Sequence, residues 1–237
     1  MAIHWDDWDE QIEDKTSDKE RLYQIIKDDL ANGETKDNLW RMTRNAQNQD
    51  DVKKEKEKCI LESVHYGEKA VKIHPNHAQT RKWYVAALGM AIKHVSNEDK
   101  VKLGNQFKVQ ADFAIEMLPN DYFIHYMYGR WSYELASLSW VEKALTRALY
   151  GWIPSATIED ALQLFIKTDE LKPNWKETYY WIAKCYISLN MEEEANEWIQ
   201  IGLNSAISDD NDRNTHDNLT VLQSSTSNWV DLPSIEK

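Results

Sequence analysis

The sequence predicts an all-α protein in which pairs of helices stack into a repeat array. Three observations lead to this prediction. Apolar residues recur at spacings of three and four over most of the chain, which is the period of an amphipathic helix. Glycine and proline are scarce, at 7 and 5 of 237 residues, which disfavours a chain rich in β-hairpins. The dipeptide Pro-Asn occurs three times, and each copy follows a helical pattern.

Local start and stop signals place the helices along the chain. Ser96 with Asp99, and Thr157 with Asp160, are pairs that cap the beginning of a helix. Trp40 opens a first, poorly matching repeat. The other predicted helices cover about residues 19–32, 52–72, 97–117, 139–150, 158–171 and 212–223. The first and the last of these are expected to cap the array, because a terminal repeat has one face in water.

The spacing of Pro75, Pro119 and Pro173 indicates the kind of repeat. They are 44 and 54 residues apart, and each lies five positions after a small residue. A tetratricopeptide unit is ~34 residues long and has a late proline with a small residue five positions before it. The sequence therefore predicts a tetratricopeptide-like α-α superhelix with insertions. The helix that follows each proline should cross its neighbour closely ten residues after that proline. These three sites are Val85, Gly129 and Ala183. An irregular helical bundle with coincidental prolines is the alternative.

These signals divide the chain into an acidic segment over 1–18, a repeat domain over 19–204 and a C-terminal capping helix with a tail over 205–237. The insertion of about 20 residues in the third repeat predicts an extra helix from about Ser139 to Tyr150, which ends before Gly151 and Pro154. Its apolar stripe is expected to pack on the array, and the stripe contains Val141, Leu145 and Ala148.

The charge is concentrated at the ends of the chain. The net charge is −12, but 1–20 and 191–217 carry −6 and −7, so 21–190 is close to neutral. This balance argues against a general nucleic-acid binder and leaves room for a local basic groove. No apolar run predicts a membrane-spanning helix, and the N-terminus does not resemble a signal peptide. The two cysteines, Cys59 and Cys185, are interpreted as packing thiols of a reducing compartment.

The sequence contains no motif for catalysis, for a cofactor or for a metal. His74 and His77 lack a third ligand, and the loop that begins at Asp210 has Thr215 where a calcium loop needs glycine. We therefore predict a protein that is not an enzyme and needs no cofactor and no metal.

The repeat register predicts a binding groove. The first helix of each tetratricopeptide unit lines a concave surface, and the side chains expected there are basic and aromatic. The predicted groove residues are Arg41, Lys82, Phe123, Tyr126, Arg130, Tyr133, Tyr180 and Lys184. Such a surface suits an acidic extended peptide or a phosphorylated ligand. The alternative is a mixed polar face in which acids such as Glu134 and Glu177 balance the cations.

Several longer stretches resemble the regulator of microtubule dynamics family. They are Leu39-Trp-Arg-Met-Thr-Arg44, Gly129-Arg-Trp-Ser-Tyr-Glu134 with Leu138-Ser-Trp140, Ala148-Leu-Tyr-Gly151, Pro154-Ser-Ala-Thr157, Ala161-Leu162 and Lys184-Cys-Tyr186. The resemblance implies a cytosolic, non-enzymatic protein that associates with microtubules and spindle poles and acts in chromosome segregation. Some members of this family carry a membrane anchor, and their repeat domain is linked to lipid transfer.

The groove and the family resemblance leave two functions of different classes open. The first is a microtubule-associated interaction module whose groove takes the acidic tails of tubulin. The second is a lipid-binding or lipid-transfer domain with an apolar cavity under the insertion helix. An open basic groove would favour the first function, and an apolar tunnel would favour the second. A generic adaptor for other acidic peptides is a third option.

Overall fold

The computed structural model describes Asp9 and residues 19–47, 53–150 and 154–226, and these residues form helices without a strand. The predicted all-α class is therefore confirmed. The described α-helices are α1 (Lys19–Asn32), α2 (Lys36–Gln47), α3 (Lys53–Ile73), α4 (Ala78–Ala91), α5 (Asn97–Met117), α6 (Tyr122–Ala136), α7 (Trp140–Tyr150), α8 (Ile158–Leu171), α9 (Lys176–Ser188), α10 (Glu192–Asn204) and α11 (Asp210–Thr226).

The capping signals read from the sequence begin two of these helices. The Ser96 hydroxyl accepts a hydrogen bond from the Asp99 amide at 3.3 Å at the start of α5. At the start of α8, the Thr157 hydroxyl and the Asp160 carboxylate each accept a bond from the other residue's amide, at 3.0 Å in both directions. This reciprocal pair satisfies amides that an uncapped helix would leave without an acceptor.

The chain forms two compact units, Met1–Pro119 and Asn120–Lys237. In the first unit, α1 packs on α2, α2 on α3 and α4, and α4 on α5. Packing against the next helix and the next but one is typical of tetratricopeptide stacking. A buried arginine in α4, Arg81, connects the turn that precedes this helix with α5. Its Nε donates to the Pro75 carbonyl at 2.7 Å, and its Nη1 donates to Gln110 Oε1 at 2.6 Å.

In the second unit, α6 packs directly on α8, α8 on α9, and α9 on α10 and α11. The predicted crossing site Gly129 lies against the Phe165 ring, and a Cβ at this glycine would be 2.9 Å from Phe165 Cε1. The Phe165 ring stacks on Trp181 with their centroids 5.8 Å apart. Ala183 is fully buried beside Ile199. The core of this unit therefore depends on small residues where helices cross.

The predicted insertion helix is present as α7, between the paired helices α6 and α8. The prediction that its apolar stripe packs on the array is wrong for the two stripe residues whose side chains the structure describes. Val141 and Ala148 are exposed, and Trp140 is 80 % exposed. The reason is that α6 and α8 fill each other's apolar faces at Gly129, so α7 has no extensive contact with another described helix. Periodicity along one helix predicts an apolar face but does not identify its partner.

Some expectations lie outside the described residues. They concern residues 1–18 other than Asp9, the side chain of Leu145, Gly151 and the tail over 227–237. The unit boundary at Pro119 falls inside the predicted repeat domain over 19–204. A single array over that whole range stays a prediction.

Candidate functional site

The second unit carries a row of cations on aromatic rings, formed by α6, α9 and the segment before α9. Tyr126, Arg130 and Tyr133 follow each other at helical spacing and therefore share one face of α6. The Arg130 guanidinium carbon lies 4.8 Å from the Trp181 ring, and Lys184 Nζ lies 4.5 Å from the same ring. One indole of α9 thus takes two cations, at distances typical of cation–π contacts.

Further contacts extend this row at both ends. Lys184 Nζ also lies 4.7 Å from the Tyr133 ring and 5.5 Å from the Tyr180 ring. At the other end, Lys172 Nζ lies 4.3 Å from Tyr122 and 4.7 Å from Trp175. We call the whole set the cation–aromatic surface, and it consists of Lys172, Arg130 and Lys184 with Tyr122, Trp175, Tyr126, Trp181, Tyr133 and Tyr180.

A single carboxylate, that of Glu177, holds the centre of the surface in place. The Tyr126 hydroxyl and Trp181 Nε1 both donate to its Oε1, at 2.8 and 3.0 Å. Its Oε2 accepts from the Thr215 hydroxyl at 2.8 Å, which connects α11 to this site. Arg130 Nη1 donates to the Tyr126 hydroxyl at 3.1 Å. The rings are therefore oriented before any ligand arrives.

The rings and the cations differ in exposure. Tyr126, Tyr133 and Trp181 are buried, whereas Arg130 and Lys184 are half-buried. The buried rings form a floor, and the cations provide the polar layer above it. Burial, with a further contribution from Glu177, raises the pKa of the Tyr126 phenol. Burial likewise raises the pKa of Tyr180, so both phenols stay neutral at physiological pH.

The sequence pattern predicts some residues of this surface and not others. The repeat register pointed to Tyr126, Arg130, Tyr133, Tyr180 and Lys184, which the structure brings together on α6 and α9. Phe123 is half-buried and stacks on Tyr126 with a centroid distance of 6.4 Å. The register did not point to Lys172, Trp175 or Trp181. The only signal for Lys172 and Trp175 was their place on either side of the Pro-Asn motif.

The two predicted groove residues of the first unit have different surroundings. Arg41 is only 5 % exposed, and its guanidinium binds the Asp9 carboxylate. Lys82 is half-buried, with its Nζ 5.4 Å from the ring of Trp83. Arg44, which the prediction did not include, lies 4.5 Å from that same ring. A continuous groove through both units stays a prediction.

A separate cavity of about 450 Å³ lies between α6 and α8 of the second unit. Its lining includes aromatic side chains, Tyr128 and Trp131, together with the polar groups of His125, Asp160 and Lys167. This cavity is open to solvent and carries charged groups among its aromatic ones, whereas the lipid hypothesis calls for an enclosed apolar tunnel.

Within the described ranges, no group of three or more His, Cys, Asp or Glu side chains is placed to hold a metal ion. None of the described helices combines the length and the apolar character that crossing a membrane requires.

Cys185 lies in the buried cluster under the cation–aromatic surface, and burial raises the pKa of its thiol from 9.0 to about 12. We expect iodoacetamide at pH 8 to modify it at least about 100-fold more slowly in the folded protein than in urea, because thiolate is the reactive form. The measurement is mass spectrometry of a Cys59→Ser variant. The folded state holds the proton of the Cys185 thiol more tightly than the unfolded state does. Raising the pH from about 9 towards 12 therefore lowers the free energy of unfolding. Equal modification rates would contradict the burial of Cys185.

Solved structures of helical-repeat proteins resemble this chain in fold. A TPR protein from Thermus thermophilus aligns with a TM-score of 0.58 at 15 % identity, over 86 % of this chain and 91 % of that one. A MamA double mutant aligns with a TM-score of 0.51 at 14 % identity, over 87 % of this chain and 88 % of that one. These similarities show the fold, which is the tetratricopeptide-like helical repeat that the sequence predicts.

The family is shown by sequence. A family model described as Regulator of microtubule dynamics protein 1-3 matches residues 5–227, and the chain belongs to this family. It is 33 % identical to Regulator of microtubule dynamics protein 3 of Mus musculus over 198 residues, 81 % of this chain and 42 % of the relative. It is 36 % identical to Regulator of microtubule dynamics protein 2 of Bos taurus over 152 residues, which are 61 % of this chain and 37 % of the relative. The chain spans less than half the length of these curated relatives.

Proposed function

We propose that this chain regulates microtubule dynamics, and that it binds microtubules through the cation–aromatic surface of its second unit. The family name supports the role in microtubule dynamics. The observation that supports the surface is the pair of cations, Arg130 and Lys184, on one indole at 4.8 and 4.5 Å. We further propose that the protein lies in the cytoplasm, on spindle microtubules and at spindle poles, and that it acts in chromosome segregation.

The proposed ligand is an acidic extended segment such as the glutamate-rich tails of tubulin. Carboxylates pair with half-buried cations by charge-assisted bonds, and aliphatic parts of the segment pack on the rings. The overall charge of −12 does not prevent this, because the local field at a surface governs the approach of a ligand. Each exposed ion pair contributes only ~0.2–1 kcal/mol, so several contacts must act together.

Reversing two charges tests this proposal. We expect the double variant Arg130→Glu with Lys184→Glu to co-pellet with microtubules at least about tenfold more weakly than the parent chain. A loss of about 1.4 kcal/mol accounts for that factor. Binding of the parent should also weaken steeply with salt, since exposed charges are screened within ~10 Å at 0.1 M.

The matched control reverses Lys72 and Lys100, which are exposed lysines of the first unit, and so has the same net charge. Microtubules stripped of their acidic tails identify the ligand, and thermal melting verifies the fold of each variant. Equal pelleting of the parent and the Arg130/Lys184 variant would overturn the proposed surface. Unchanged pelleting of the parent chain on stripped microtubules would place the contact on the body of the microtubule and not on its acidic tails.

A further inference from the structure

Arg41 in α2 holds a carboxylate in a two-pronged ion pair. Its Nε donates to Asp9 Oδ1 at 2.7 Å, and its Nη2 donates to Asp9 Oδ2 at 2.6 Å. The planar guanidinium matches the two carboxylate oxygens, and this bidentate geometry is the strong form of the Arg–carboxylate pair. The contact joins two residues that are 32 positions apart in the sequence.

The guanidinium is held in place by groups other than Asp9. Its carbon lies 4.3 Å from the Trp40 ring, and its Nη1 donates to the Asp37 backbone carbonyl at 2.9 Å. The Arg41 side chain is 6 % exposed, whereas that of Asp9 is 33 % exposed. The receptor side of the pair is therefore fixed and sheltered, and the carboxylate side is half-buried.

The residue that fills this site belongs to the acidic end of the chain. Residues 1–20 contain eight acidic and two basic side chains. A segment of this composition resembles the ligand proposed for the cation–aromatic surface. The first unit thus shows, with its own chain, how an arginine on an aromatic ring binds a carboxylate of an acidic segment.

We propose that Arg41 is a binding site for the carboxylates of acidic peptides, and that Asp9 occupies it as an internal competitor. A partner's acidic segment binds there by displacing Asp9. This inference deepens the proposed function and depends on it only for the identity of the partner. The site lies in the first unit, so it is distinct from the Arg130 and Lys184 contacts that the pelleting experiment tests.

Competition within one chain lowers the apparent affinity for a ligand by the fraction of molecules whose site is open. A tethered carboxylate acts at an effective concentration of about millimolar. We therefore expect Asp9→Asn in the full chain to bind a fluorescein-labelled oligoglutamate peptide about fivefold more tightly than the parent, as measured by fluorescence anisotropy. The amide keeps the shape of the Asp9 side chain but loses its charge, and the Asp37 carboxylate, 3.5 Å from Arg41 Nη1, is unchanged.

The control is Asp28→Asn, which removes the same charge from an exposed position of α1. It should leave the affinity within about twofold of the parent, because an exposed charge is largely screened. Combining Asp9→Asn with Arg41→Gln should abolish the gain. That loss would place the peptide at Arg41.

Three outcomes would overturn the inference. In the first, Asp9→Asn binds oligoglutamate no better than Asp28→Asn does. In the second, the gain persists when Arg41 is replaced. In the third, Asp9→Asn lowers the melting temperature without tightening peptide binding, which is the result that a purely structural ion pair gives. A failure of the microtubule proposal changes none of these readouts, since the probe is oligoglutamate alone.

Discussion

Replacing Gly129 with leucine is expected to lower the free energy of unfolding by about 3 kcal/mol. A Cβ at this position would be 2.9, 3.0 and 3.1 Å from three atoms of the Phe165 ring. The ring cannot easily move away, because it is fully buried and stacks on Trp181 at 5.8 Å. Any larger side chain must therefore separate α6 from α8 or force the core out of its preferred rotamers.

Gly129→Ala with and without Phe165→Leu tests the cause as well as the size of this effect. Alanine favours an isolated helix over glycine by about 1 kcal/mol, so a loss of stability would show that the contact dominates. Shortening Phe165 should offset part of the loss, and we expect a coupling of about 1 kcal/mol in the double-mutant cycle. Ala148→Leu, at an exposed position of α7, is the control. Additive effects, or a Gly129→Leu variant that melts like the parent, would show that α6 and α8 do not cross at this glycine.

The helices could be predicted because their signals are local. The Thr157–Asp160 pair, the proline that follows a helix and the spacing of three and four act within one or two turns of the chain. The repeat register then located Arg130 and Lys184, since a fixed period carries a position from one unit to the next. The small residue Gly129 was predictable for the same reason.

Features that depend on distances between helices could not be predicted in this way. Glu177 is one acid among many in the sequence, and it becomes the acceptor for Tyr126, Trp181 and Thr215 only when α6, α9 and α11 pack. Helix α7 shows the same limit, because periodicity predicted that Val141 lies on an apolar face but not that its side chain would be exposed.

Lys176 is a second residue whose importance follows from packing alone, and replacing it with methionine is expected to cost about 3 kcal/mol of stability. The side chain is 1 % exposed at the start of α9. Its Nζ donates to the carbonyl of Gly202 at 2.6 Å and to the carbonyl of Ser205 at 2.8 Å. These carbonyls belong to the last turn of α10 and the residue after it, where no further turn supplies amide donors. Burial lowers the pKa of the ammonium, so the two carbonyls must offset the cost of placing a charge there.

Methionine keeps most of the side-chain volume and removes the three donors of the ammonium, so the variant isolates the hydrogen bonds from the packing. Lys72→Met is the matched control, because Lys72 is 71 % exposed and its ion pair with Glu68 spans one turn of the same helix. We expect this variant to change stability by no more than about 0.5 kcal/mol. Urea unfolding gives the two free energies, and hydrogen exchange locates the loss. If α10 and α11 depend on Lys176, their amides should exchange faster in Lys176→Met while those of α6 and α8 stay protected. Equal midpoints for the two methionine variants would mean that Lys176 does not hold the end of α10.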